Sequence, residues 1–256
     1  MNKIFSAIMV AAALGVSPDA ALAAEKISQQ RTIDARIVKI KLGGVINLNV
    51  KQGPNASLVL VGEQRDIDRV SVSQGGDTLT IDTESSGWGF GNKERHNVRA
   101  ELTLPNLNEL VSNGVGATDL TGFTGNEVRL SLEGAGSVKV SGSYKRIVAR
   151  LGGVGSMRLN AGNADQVDLK LGGAGHIGVT GNTKLLRAQL GGVGSLDAGK
   201  LHADAVELDM SGLGGATVYA KTSANLKLSG LGSATVHGNP GSRSADARGL
   251  GSVSWH

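Results

Sequence analysis

Three stretches, "GGVGSMRLN" (152–160), "GGAGHIGVT" (172–180) and "GGVGSLDAG" (191–199), carry the glycines of the calcium-binding nonapeptide G-G-x-G-x-D-x-U-x. Calcium sites of that kind need a carboxylate at the sixth position. Met157, Ile177 and Leu196 stand there instead, so the ligand set is missing, and Asp197, one residue on, is expected to face outward. "GGAGHIG" also spells G-x-G-x-x-G at Gly173, Gly175 and Gly178. A dinucleotide site needs a helix directly after that turn to meet the pyrophosphate, and a β-branched strand follows. The histidines, His96, His176, His202, His237 and His256, do not pair at metal-ligand spacing. Neither H-E-x-x-H nor a G-x-S-x-G nucleophile elbow occurs. No metal and no cofactor is expected.

Glycan cleavage would need carboxylates or cations gathered in one groove. Asp168, Asp197, Glu207, Asp209 and Asp246 are the acidic candidates. They scatter among Lys170, Lys227 and Arg248 at comparable outward positions, as on a solvated face of mixed sign. The better binding candidate is "ESSGWGFGNKERHN" (84–97), where Trp88 and Phe90 precede Lys93, Arg95 and His96. Rings beside cations can stack on a sugar or meet an anionic glycan. The plainer alternative is that both rings fold back to cover the end or side of the domain.

What positions these residues is a repeat. The glycines that open each corner are Gly114, Gly134, Gly153, Gly173, Gly192, Gly212, Gly230 and Gly249, at intervals of 20, 19, 20, 19, 20, 18 and 19 residues. Before each corner apolar and polar residues alternate, as in Val167, Leu169 and Leu171 around Asp168 and Lys170. The alternation resumes afterwards, as in Ile177 and Val179, and a second break follows at Gly142, Gly162, Gly181, Gly199 or Gly238. Period-two alternation predicts strands with one buried face. Three short strands and three turns in about 19 residues make one coil of a parallel β-helix. Eight coils at ~4.8 Å would form a rod on the order of 40 Å long. Glycine recurs at the corner because the chain there needs positive φ or passes close to the neighbouring coil.

Residues 24–97 read as less regular first coils and an N-terminal cap, interrupted by the loop 84–97. Residues 98–256 hold the regular coils of the same continuous domain. The chain has 39 glycines, only four prolines and no cysteine. It therefore has no disulfides, and is neither collagen-like nor a proline-rich linker. Two Trp, two Tyr and three Phe are too few for a core built on large rings. The net charge of +4 is mild and spread along the chain; it gives no reason to expect nucleic acid. Lys3, the apolar run "IFSAIMVAAALGV" (4–16) and "ALA" (21–23) have the order of a secretory signal peptide, residues 1–23, cleaved before Ala24. No cysteine follows to carry a lipid anchor, and no later apolar run nears the ~18 residues of a membrane helix. An exported protein without stable membrane insertion, periplasmic or secreted, is expected.

"GGVINLNV" (43–50), "LTLPNLNELVSNGVGATDLTG" (102–122) and the repeated L-x-G-x-G-S corners together resemble the auto-transporter adhesin, head GIN domain family, over residues 33–255. The resemblance implies an all-β fold, a right-handed parallel β-helix (solenoid), in an exported or envelope protein. It carries over no catalytic residue. An autotransporter ends in an outer-membrane barrel, whereas this sequence stops at "GLGSVSWH", so self-export is not expected. The expectation is a non-enzymatic binding or structural module whose partner is an envelope glycan or envelope protein. The alternatives are a polysaccharide-degrading β-helix and a homo-oligomeric envelope scaffold, joined through the open strand edge near Trp255 and His256.

Overall fold

Leu132, Leu151, Leu171, Leu190, Met210 and Leu228 stand one above another, each in register with the next across parallel strands. All six are buried. They form one of several aliphatic ladders inside a parallel β-solenoid of about seven turns, seen in a computed structural model that describes residues 26–83 and 98–256.

The first strands are short: β1 (Lys26–Thr32), β2 (Lys39–Leu42), β3 (Asn47–Gln52), β4 (Ser57–Glu63), β5 (Val70–Gly75), β6 (Thr78–Thr83), β7 (Arg99–Leu104) and β8 (Glu109–Ser112). One turn of helix, α1 (Gln64–Ile67), joins β4 to β5. Next come β9 (Val115–Leu132), β10 (Ala135–Leu151), β11 (Val154–Leu171), β12 (Ala174–Leu190), β13 (Val193–Met210) and β14 (Leu213–Leu228), each a bent strand making nearly a whole coil. β15 (Leu231–His237), β16 (Ser242–Ala247) and β17 (Ser252–Trp255) complete the described chain.

Each coil has three runs. After the corner, a first face points Val138, Met157, Ile177, Leu196 and Ala216 inward, one per coil. A short second face bends around glycines such as Gly162 and Gly181. A third face returns to the corner and buries Val128, Ile147, Val167, Leu186 and Val206. Burial of each large side chain contributes roughly 1.5–3 kcal/mol. Parallel neighbours satisfy one another's backbone: the N–H of Ala174 donates to the Gly153 carbonyl at 3.0 Å, and that of Val193 to the Gly173 carbonyl at 3.0 Å. Phe123 and Tyr144 are the aromatic members of this aliphatic core.

The corner glycines divide the two duties expected of them. A Cβ on Gly134, Gly153, Gly173, Gly192 or Gly212 would come well within 3.0 Å of the carbonyl oxygen of the corner glycine one coil earlier. These residues are glycine because backbone passes over backbone. The glycine two residues on has that crowding and also positive φ, as at Gly155 (φ 150°) and Gly175 (φ 159°). The residue between the two glycines has its side chain turned outward. Val154 is 61% exposed, Val193 56% and Leu231 54%, and Val115 and Leu213 are exposed like them.

In the N-terminal part β2 and β3 form a coil with its corner at Gly43 and Gly44; a Cβ on Gly114 would strike the Gly44 carbonyl. This coil lies inside the stack: β2 pairs with both β6 and β8, and β3 with both β7 and β9, all parallel. The segment that follows it in sequence turns back outside it. There β1–β4, β4–β7 and β5–β6 pair antiparallel and close that end of the solenoid. Antiparallel pairing suits a cap because hairpin-type connections need no coil of their own.

Candidate binding surface

The loop residues expected to bind, Trp88, Phe90, Lys93, Arg95 and His96, lie outside the described residues. The surfaces that the solenoid does position are on its three faces.

On the second face, successive coils place Asn163, Asn182, His202 and Tyr219 in one column. Asn182 Nδ2 donates to Asn163 Oδ1 at 2.9 Å. The His202 and Tyr219 rings stack with centroids 4.4 Å apart and planes tilted by 43°. Beside this column runs one of alternating charge, Asp165, Lys184 and Asp204. Lys184 Nζ sits 2.7 Å from Asp165 Oδ1. The hydrogen bond from Lys184 holds the Asp165 carboxyl below its usual range, and the same contact raises the Lys184 ammonium. Together the columns line an open groove of about 580 Å³. Its tools are a ring platform, amides that both donate and accept, and fixed charges of both signs. Such tools suit a polyhydroxylated ligand, whose C–H faces stack on rings and whose hydroxyls pair with amides and carboxylates.

The first face carries a second open groove, of about 400 Å³, around Gly178. Gly178 stands in register between Arg158 and Asp197, so one outward side chain is missing from the row. Lys139, Arg158 and Lys200 line the groove. Among the described residues none of the three has an ion-pair partner. His176 Nδ1 and Ser195 Oγ, 2.9 Å apart, share a hydrogen bond at its upper edge. The groove leans positive, with Asp197 at its rim accepting from the Gly199 N–H at 3.2 Å.

The third face is self-neutralised. Arg146 binds Asp168 at 2.7 Å, Arg187 binds Glu207 at 2.7 Å, and Arg150 binds Glu133 at 2.9 Å. The acidic candidates are dispersed over more than one face. Asp168 and Glu207 are held by arginines on this face, Asp209 lines an open groove beside Glu207 here, Asp197 is on the first face, and Asp246 pairs with Arg248. No group of three or more His, Asp or Glu that could hold a metal occurs among the described residues. No helix among them is long and apolar enough to cross a membrane.

His202 and Tyr219 escape sequence reasoning because their spacing is irregular. Counted from the corner glycine, His202 is ten residues on and Tyr219 only seven. The register slips between Ala198 and His202, where one coil has three extra residues and its neighbour has none. Coil-by-coil alignment on the second bend, rather than on the corner, would have paired them.

The sequence profile described as "Putative auto-transporter adhesin, head GIN domain" matches residues 38–240. No curated protein matches the chain. Among solved structures, a putative adhesin from Bacteroides fragilis is similar at TM-score 0.68 and 23% identity, over 91% of this chain and 97% of that one. A putative lipid binding protein from Parabacteroides distasonis gives TM-score 0.79 and 20% identity, over 91% and 98%. A putative adhesin from the same organism gives 0.76 and 19%, over 91% and 98%. At such identities the likeness is one of fold.

Proposed function

Since the chain belongs to the auto-transporter adhesin, head GIN domain family, we propose that it is a non-enzymatic, adhesin-like binding module of the envelope or extracellular space that recognises an acidic polysaccharide. The observation that carries this is the His202–Tyr219 ring pair set beside the Asn163–Asn182 amides in one groove. Two further features support it. Coils β11 to β13 also contribute to the positive groove of Lys139, Arg158 and Lys200 on the adjoining face, so an extended chain of sugars can reach both. Asp168 and Glu207, by contrast, are engaged by arginines rather than paired for acid–base work.

The test is retention of the chain on immobilised peptidoglycan, lipopolysaccharide and capsular polysaccharide. Retention on an acidic glycan is expected, lost in Tyr219→Ala and made less salt-sensitive in Lys139→Gln/Arg158→Gln. The bound glycan should show no new reducing ends after incubation. Retention on none of these glycans, or retention indifferent to Tyr219→Ala, would remove the polysaccharide reading. Release of reducing ends would restore the enzymatic alternative.

A further inference from the structure

The outward residue of every corner is aliphatic, and the corners are in register. Val45 pairs with Val115, and the column continues through Ala135, Val154, Ala174 and Val193. Leu213 and Leu231 extend it, and Leu250 follows by the same count. The result is a straight ridge roughly 40 Å long at the ~4.8 Å rung spacing. From the exposures of its valines and leucines it presents on the order of 700 Å² to solvent, more than the ~300–600 Å² of the largest apolar patch on a typical monomer. Glycines flank every rung from Val115 onward on both sides, and beyond them stand mainly Ser, Gly and Ala, as with Ser137, Ser156 and Ser195. The ridge therefore stands clear of its surroundings, and another backbone can come close to it.

We infer that this ridge is a dimer interface, whose occupant is the same ridge of a second copy running antiparallel. Three features lead there. First, the exposed area approaches the ~800 Å² per partner of a standard stable interface. Second, a two-fold axis through Ala174, which then meets its own copy, sets Leu213 against Ala135, Leu231 against Val115, and Val154 against Val193, so that each leucine of these rungs meets a smaller residue. A parallel pairing would instead set leucine on leucine. Third, from Ala135 to Leu231 the nearest flanking residues carry no Lys or Arg. An apolar ridge built for an anionic lipid surface would carry such cations. This inference is independent of the polysaccharide reading, since the ridge lies at the corner and neither groove includes it.

The chain has no cysteine, so engineered ones report cleanly. The chain is expected to sediment as a dimer at micromolar concentration. Val154→Glu/Val193→Glu should raise the dissociation constant about tenfold or more, while leaving the thermal midpoint unchanged at concentrations dilute enough for both chains to be monomeric. Under oxidation Ala174→Cys should cross-link to itself, and a mixture of Ala135→Cys and Leu213→Cys chains should give the mixed dimer. A monomer at every concentration, or a dimer unaffected by the glutamates, would overturn the proposal. Self-cross-linking of Ala135→Cys without the mixed product would overturn the antiparallel arrangement. So would a monomer that floats with phosphatidylethanolamine–phosphatidylglycerol vesicles through the ridge, because the occupant would then be lipid.

Discussion

Tyr144 donates its phenol hydrogen to the carbonyl oxygen of Leu107 at 2.8 Å, from a ring that is almost wholly buried. The bond ties β10, in the regular coils, to the loop between β7 and β8, where the sequence leaves the cap. Tyr144→Phe keeps the packing and leaves the Leu107 carbonyl without its donor. A loss of about 1–3 kcal/mol is expected in chemical denaturation. An unchanged midpoint would mean that the bond adds nothing.

Burial pushes the Tyr144 phenol above its usual range. The folded state then holds a proton that the unfolded state releases near pH 10. Stability from this group is complete below that pH and declines as pH rises further. In a Tyr219→Phe background, the phenolate absorbance should appear only with alkaline unfolding. Titration near pH 10 in the folded protein would contradict this.

Acid should act in the opposite sense. The hydrogen bonds from Arg36 hold Asp34 at about 2, and Lys39, Ser131 and Lys184 lower Asp77, Glu133 and Asp165. Their unfolded values lie near 4, so the unfolded chain binds more protons between there and the lowered values. As far as these carboxylates act, the thermal midpoint should be flat from about pH 5 up to the alkaline range and fall as pH drops through that window. A midpoint that rises on acidification would show that these contacts are not made.

Gly162 separates conformation from crowding. Its φ is 58°, yet a Cβ there would meet nothing closer than 3.5 Å. Gly162→Ala should cost about 1 kcal/mol for the left-handed backbone alone. Gly162→Asn should cost less, because asparagine tolerates that region. Equal losses would mean that space, not φ, requires the glycine.

The coils were legible because one physical demand, backbone crossing backbone, repeats at Gly114, Gly134, Gly153 and onward at near-equal spacing. Gly44 belongs to the same ladder but stands 70 residues before Gly114, because the antiparallel strands of the cap intervene in the sequence. No periodic count reaches it. Alternation predicts which residues of a strand face inward, but it gives no direction for Val154 or Val193 between two glycines. The exposed ridge therefore emerges only from the fold. His202 and Tyr219 meet through a local slip of register, which a repeat averages away.

The central claim is that the corners stack so tightly that only glycine fits. Gly172 and Gly173 test it side by side: a Cβ on Gly172 would meet nothing within 4 Å, and one on Gly173 would strike the carbonyls of Gly153 and Gly152. The measurement is the unfolding free energy of Gly172→Ala against Gly173→Ala. Gly172→Ala should stay within about 0.5 kcal/mol of the parent, and Gly173→Ala should lose about 3 kcal/mol or fail to fold. Equal stability of the two variants would contradict the stacked corner.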